Sequence, residues 1–518
     1  MNKILPILFF PFVLPLYAGS QVMPKEDSKL NYRLIGFSFP QLQNADHYRL
    51  EIATGNYNTQ DSFKKNTSQS IECSTNRIIT EVPEFGKEYT WQVVYTLSHS
   101  KTKKSELHHF STLMAANVDT TNMRLKILKN AEKYKDAYVF LDGNQALYDM
   151  KGRPVWFLPN IEKNERENQD PRDLKFTADG TITLLIQTRA YEINYNGDIL
   201  WKAPYQDKVP GTTNGFYHHQ FTKLSNGHYM VMGMENNGVY IKTKNTGNAT
   251  SKDSILFVGA INITSPEYRT VYPSFGFGTV LEYDKDSNII WSYKTSDYFT
   301  GSDLLYHKMR NGSLDIKVHD NGFYFDEKAK ELYISFKDIG RIIKVKYPDG
   351  ATLNTYGELF NPGAIQNMGK DFFCGQHNCG VSGDGSLYLF NNNACNWPSL
   401  PTIVKMQQPV AKNDSLKKIW EYQCTIDDSD LEAQKKLHLT SGGSVYELPD
   451  HSIFASMGSM YSKVFILSMN KEILWSALPE KWNSFEQKWQ PVDQYRASII
   501  TDREQLELLI WNAEGKER

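Results

Sequence analysis

The stretch YEINYNGDILW, residues 191–201, reads as a strand, a polar turn around Gly197 and a second strand closed by Trp201. Alternating residues on either side of an Asn/Gly/Asp turn are hairpin chemistry. The plan recurs along the chain. LYDMKGRPVW ends at Trp156, LEYDKDSNIIW at Trp291, KKIW at Trp420 and MNKEILW at Trp475, and a degenerate copy, VKYPDGATLNTY, ends at Tyr356. Six copies of a strand, a turn and an aromatic-ended strand over residues 120–518 predict an all-β unit, a six-bladed β-propeller. A β-helix or two stacked sandwiches are the alternatives. The copies are unevenly spaced, because IKTKNTGNATSKDS (241–254) and SDYFTGSDLLYHKMRNGSLD (296–315) interrupt them. Insertions of this length form loops over one face, either as a lid or as surface decoration.

Upstream, residues 28–113 carry shorter alternating runs: HYRLEIAT, RIITEVP, YTWQVVYTL and LHHFSTL. Turn residues separate them at the spacing of a small β-sandwich. NADHYRLEIA and GKEYTWQVVY resemble the fibronectin type III pattern. A sandwich here is a candidate for homodimer formation, or for capping an edge of the larger unit.

A chain of 518 residues is long enough for two domains. Its 57 Lys+Arg against 59 Asp+Glu, net −2, supply no field to draw in a polyanion, so nucleic acid is not an expected partner. The opening MNKILPILFFPFVLPLYAGSQ has a Lys, a proline-broken apolar run and small residues about Ala18. It predicts a signal peptide over 1–18 and an exported, periplasmic protein. No later segment approaches the roughly 20 apolar residues of a membrane helix. Export permits disulfides. Of the five cysteines, Cys374, Cys379, Cys395 and Cys424 cluster late, and their three possible pairings stay open.

The cluster brackets His377, one of 12 histidines. His108 and His109 read as a solvated strand end, and His47, His99, His228, His307 and His451 as exposed. Three others stand apart. His219 precedes the turn residue Gly227 by the interval that separates His377 from Gly385, and His319 opens a strand that runs into a polar turn. Comparable positions in successive blades converge on a central channel. Alternation lets only one of His218 and His219 face it, and the interval selects His219, turning His218 and Gln220 away. Asn321, two residues after His319, is expected on the same strand face, with Lys337 on the adjoining strand. The run Asn391, Asn392, Asn393 follows the His377 hairpin and reads as a turn.

HHQFTKLSNGHYMVMG, EYDKDSNIIWSY, VHDNGFYFDEKAKELYISFK and QHNCGVSGDGSLYLFNNN, in that order, resemble segments of the bacterial aryl-sulfate sulfotransferases. These are periplasmic propeller enzymes that move a sulfuryl group from a phenolic sulfate ester to a phenol acceptor without PAPS or another cofactor. The resemblance runs through most of the chain. It implies His377 as the transiently sulfurylated nucleophile, His219 and His319 flanking it, and Asn321 on the sulfuryl oxygens. Lys337 falls where the family has arginine, keeping the charge and losing the planar five-donor fork. Gln220 and Asn378 replace the aspartates expected after His219 and His377.

Chemically, a neutral imidazole can attack sulfur, and a nearby cation such as Lys337 favours the neutral form. His319 or His219 would serve as general acid toward the departing phenolate and then as base toward the incoming phenol, a ping-pong cycle through sulfohistidine. Two other readings fit the residues: a zinc-dependent hydrolase or lyase using the three histidines as ligands, and a non-catalytic binding propeller.

Overall fold

The computed structural model describes residues 22–97, 101–162, 169–205, 216–242, 254–259, 268–299, 318–357, 372–396, 398–409, 416–427, 430–437, 441–459 and 461–513. The stretch 1–18, His99, His307 and most of both insertions lie outside these residues. The chain divides into two compact units, Met1–Met114 and Ala115–Arg518.

The first unit holds a six-stranded sheet and the strand pair Leu34–Ser38 with Arg77–Glu81. Trp91, wholly buried, packs its ring 5.2 Å from Phe37 and 4.7 Å from His108, joining strand pair to sheet through aromatic contacts. One segment departs from the all-strand expectation. Gln60–Asn66 is a helix whose Thr59 side chain accepts the Ser62 amide, an N-cap that the T-Q-D-S sequence supplies. His108 and His109 also differ from expectation. His109 Nδ1 lies 2.8 Å from Glu26 Oε1 and Nε2 3.2 Å from the Tyr57 carbonyl oxygen, so this strand end is tied down rather than solvated.

Among the described residues the second unit contains six antiparallel sheets of four to six strands. In chain order their innermost strands are Pro171–Phe176, Phe221–Lys223, Asp320–Asp326, His377–Val381 and Ser444–Glu447 for the second to sixth sheets. The first sheet takes its innermost strand from the far end of the chain: Ala497–Ile500 pairs with Tyr138–Leu141.

The aromatic that closes each repeat contacts the next sheet. Trp156 Nε1 donates to the Tyr195 carbonyl at 2.7 Å, Trp201 stacks on Tyr229 at 3.9 Å, and Trp291 Nε1 donates to the Pro348 carbonyl at 2.8 Å. Tyr356 Oη donates to Gln408 at 2.6 Å, and Trp420 Nε1 to the Met469 carbonyl at 2.9 Å. Trp475 of the sixth sheet donates to Met150 of the first at 3.1 Å. The repeated aromatic therefore packs against the next sheet, and in four of the six the indole also donates to a backbone carbonyl there, whereas Trp201 Nε1 is buried without a partner. No helix among the described residues is long and apolar enough to cross a membrane.

Candidate active site

Short inner strands bring His219, His319 and His377 to one cavity of about 510 Å³, lined also by Lys337, Arg172 and Tyr495. The strand starts are irregular in a shared way. Asp173, His219, His319 and Asn378 all have positive φ, between 46° and 60°, and the ladders shift register beside Asp173, Asp320 and Asn378. A bulge re-aims the side chains around it, and an αL residue without glycine is a local cost borne at each position. The bulge after His319 also explains where Asn321 goes. Strand alternation is broken between Asp320 and Gly322, so Asn321 does not share the His319 face or line the cavity. Its amide instead donates to the Gln376 carbonyl at 2.6 Å.

His377 is 2% exposed. Its Nδ1 lies 2.6 Å from Asn392 Oδ1 and 3.2 Å from the Gly375 carbonyl oxygen. Asn392 donates its own amide to the Gly442 carbonyl, which fixes the oxygen toward the imidazole. Both neighbours of Nδ1 accept, so Nδ1 carries the hydrogen and Nε2 of the neutral ring holds a lone pair. Burial, followed by the Lys337 charge, holds His377 well below the usual histidine range. Burial, then the neighbouring His218 and His319, does the same for His219. His319 Nδ1 faces a carboxylate oxygen, Asp338 Oδ2, at 3.3 Å. Its ring centroid is 5.4 Å from that of His219. The Lys337 backbone amide donates to the His319 carbonyl at 2.9 Å, tying the two site residues together, and burial lowers the lysine's own pKa.

Beneath the histidines lies Arg496, wholly buried. Its Nη1 is paired with Asp173 and donates to Gln220 Oε1 at 2.9 Å, and its Nη2 donates to the Asn321 carbonyl at 3.2 Å. Gln220 follows His219, Asn321 lies two beyond His319, and Asn321 holds the residue before His377. One guanidinium thus braces all three histidine-bearing strands. The amides that replace the expected aspartates are engaged as well: Gln220 accepts from Arg496, and Asn378 Oδ1 accepts the Val445 amide at 2.9 Å. Asp173 already supplies the carboxylate, so a second would bury an extra negative charge.

Sequence reading passed over Arg172, Tyr495 and Arg496. Arg172 had a signal: it precedes Gly180 by the interval that singled out His219 and His377. Its guanidinium sits 4.8 Å from the Tyr495 ring centroid, and that ring lies 6.0 Å from His219 and 6.1 Å from His377. Asp142, Asp170 and Asp493 also reach the cavity, and burial pushes the Asp142 carboxyl up to about 7. Among the described residues no group of three or more His, Cys, Asp or Glu side chains is placed to hold a metal ion.

The Arylsulfotransferase (ASST) family model matches residues 112–424, more than half of the chain and a span that includes all three histidines and Lys337. The chain belongs to the arylsulfotransferase family. Membership makes it a relative of transferases that act on small molecules. No curated protein matches it. Solved structures similar to it include a protein of unknown function from Bacteroides caccae, with 10% identity, 66% of this chain and 92% of that one covered, and a TM-score of 0.37. Another is the β-propeller domain of Myceliophteria thermophila Cps50 (Swd1), with 9% identity, 74% and 98% covered, and 0.33. A third is the Pseudomonas aeruginosa periplasmic gluconolactonase PpgL, with 10% identity, 88% and 98% covered, and 0.30. At such scores these likenesses decide neither fold nor activity.

Proposed function

We propose that this arylsulfotransferase moves a sulfuryl group from a phenolic sulfate ester to a phenol in two half-reactions, with His377 as the group carried between them. The observation that carries the reading is the anchoring of His377 Nδ1 by Asn392 at 2.6 Å in a cavity shared with two further histidines and a lysine. His377 Nε2 attacks sulfur, the S–O bond to the donor breaks, and the departing phenolate takes a proton from His319, which Asp338 supports as a cation. The incoming phenol then takes the sulfuryl group from His377, and the proton it releases restores the acid. Lys337 neutralises sulfuryl oxygen charge, and Asn321 serves the site through Gln376 rather than by touching substrate.

Six sheets whose aromatics contact the next sheet, with Trp475 leading back to Met150, support a six-bladed propeller as the scaffold. The amino-terminal unit is read as a fibronectin type III-like sandwich, and residues 1–18 as a signal peptide directing the protein to the periplasm. A disulfide within the late cysteine cluster would suit that compartment.

The test is intact-mass spectrometry after brief exposure of the protein to excess 4-nitrophenyl sulfate without acceptor. One added sulfuryl group, mapped to His377, is expected. An unmodified protein with no nitrophenol released would remove this donor chemistry.

Lys337 gives a second expectation. Lys337→Gln lowers turnover about 100-fold, the usual cost of losing one charge-stabilising donor. It also moves the acid limb of nitrophenol release to higher pH, because removing the cation lets His377 protonate more readily. Lys337→Arg keeps the charge and holds both quantities near wild type. A pH–rate series on the three proteins checks this.

A further inference from the structure

The cycle above leaves His218 without a part, yet it makes a 2.6 Å contact to a lining histidine. His218 Nε2 lies 3.0 Å from the Gly233 carbonyl oxygen, which only accepts, so Nε2 carries a hydrogen. In the neutral ring Nδ1 is then a bare lone pair. It stands 2.6 Å from His219 Nδ1, a separation that places one hydrogen between the two nitrogens, donated by His219. His219 Nε2 is left as an acceptor in a residue that lines the cavity.

Behind His218 stands Asp320. Its Oδ2 is 3.7 Å from His218 Nε2 and is buried with no hydrogen-bond partner. A Cβ on Gly278 would lie 1.6 Å from that oxygen, so a glycine is required there to admit the carboxylate. The titratable groups facing His218 are Asp320, His219 and, at longer range, His319. Burial and these imidazoles favour the neutral His218 ring, and Asp320 is the group that favours a charge on it.

We propose that His218 is a positioning residue: it holds His219 in the Nδ1–H tautomer and takes up the Nδ1 proton when His219 Nε2 accepts the proton of the incoming phenol. This rests on the sulfuryl-transfer reading and adds a base to its second half. The phenol O–H bond breaks as its oxygen bonds to sulfur and the His377 Nε2–S bond breaks. The proton goes to His219 Nε2, the Nδ1 hydrogen of His219 passes to His218 Nδ1, and the His218 imidazolium faces Asp320. The proton then returns through His219 to His319, whose ring centroid is 5.4 Å away, ready for the next departing phenolate.

The experiment compares wild type with His218→Gln, whose amide oxygen can still accept the His219 hydrogen, and with His218→Phe, which offers no acceptor. The ¹⁵N spectrum of imidazole-labelled protein, with His219 assigned by loss of its signals in His219→Gln, is expected to show Nδ1–H and bare Nε2 in wild type and in His218→Gln. In His218→Phe the Nε2–H form should appear. In single-turnover assays the transfer of the sulfuryl group to phenol falls about 100-fold in His218→Phe and recovers to within about tenfold in His218→Gln, the usual range for general-base assistance. Uptake from 4-nitrophenyl sulfate, a donor with a good leaving group, falls less. A wild-type His219 found as Nε2–H, or a His219 tautomer unmoved by His218→Phe, overturns the proposal. If wild type takes up no sulfuryl group, the transfer reading fails, while the tautomer spectra still decide the role of His218.

Discussion

His377→Ala is expected to abolish sulfuryl uptake, with turnover falling on the order of 10,000-fold or more, the scale on which nucleophile removal acts. The variant has no nitrogen to attack sulfur, and His219 and His319 do not substitute. His219 has a hydrogen-bonded Nδ1 of its own to another imidazole, and His319 faces Asp338, which suits a proton donor better than a nucleophile. The substitution leaves Asn392 Oδ1 without its imidazole partner, at a cost of about 1–3 kcal/mol for a buried acceptor. That is too little to unfold a chain with this much buried sheet, so the loss reads on chemistry. Burst release of nitrophenol and the mass of the variant after donor exposure give the answer. Near wild-type release would take the nucleophile role from His377.

The second large effect is on stability. Arg496→Met removes the guanidinium that pairs with Asp173 and donates to Gln220 and Asn321. Asp173 retains Lys175 and the Phe221 amide as donors, but two buried acceptors lose theirs and a buried carboxylate loses one of its two cations. Breaking a buried pair from one side costs roughly 3–5 kcal/mol. Urea unfolding followed by tryptophan fluorescence should show the unfolding free energy lowered by that amount, with the midpoint shifted to lower urea. Since the same guanidinium braces the strands of His219, His319 and His377, turnover should fall at temperatures where the variant is still folded. An unchanged midpoint would mean that Arg496 is not the brace described.

The all-β repeat was legible because it is chemical: an aromatic that packs against the next sheet reappears at the end of each copy. His219, His319 and His377 were legible for the same reason, each holding a comparable place in its own repeat. Asn321 was misplaced because period-two alternation assumes an unbroken ladder, and the αL conformation of His319 with the bulge after Asp320 breaks it. Asn392 looked like part of a turn, and only the fold carries it back onto the imidazole of His377. Arg496 could not be read at all, since its partners Asp173, Gln220 and Asn321 lie on three other sheets and no local pattern announces such a contact.

The pairing of Ala497–Ile500 with Tyr138–Leu141 sets an order of events during biosynthesis. A nascent chain already holding every site histidine has neither Tyr495 nor Arg496, and its first sheet stands without its innermost strand. The cavity can be completed only after residues 495–500 have been made, and contacts between residues so distant in sequence close slowly. The protein would therefore pass through synthesis, and through any export, as a precursor without a finished site. Reactivity toward sulfate esters would then switch on in one late step, and cleavage between Tyr495 and the paired strand would switch it off while leaving five sheets with all their strands.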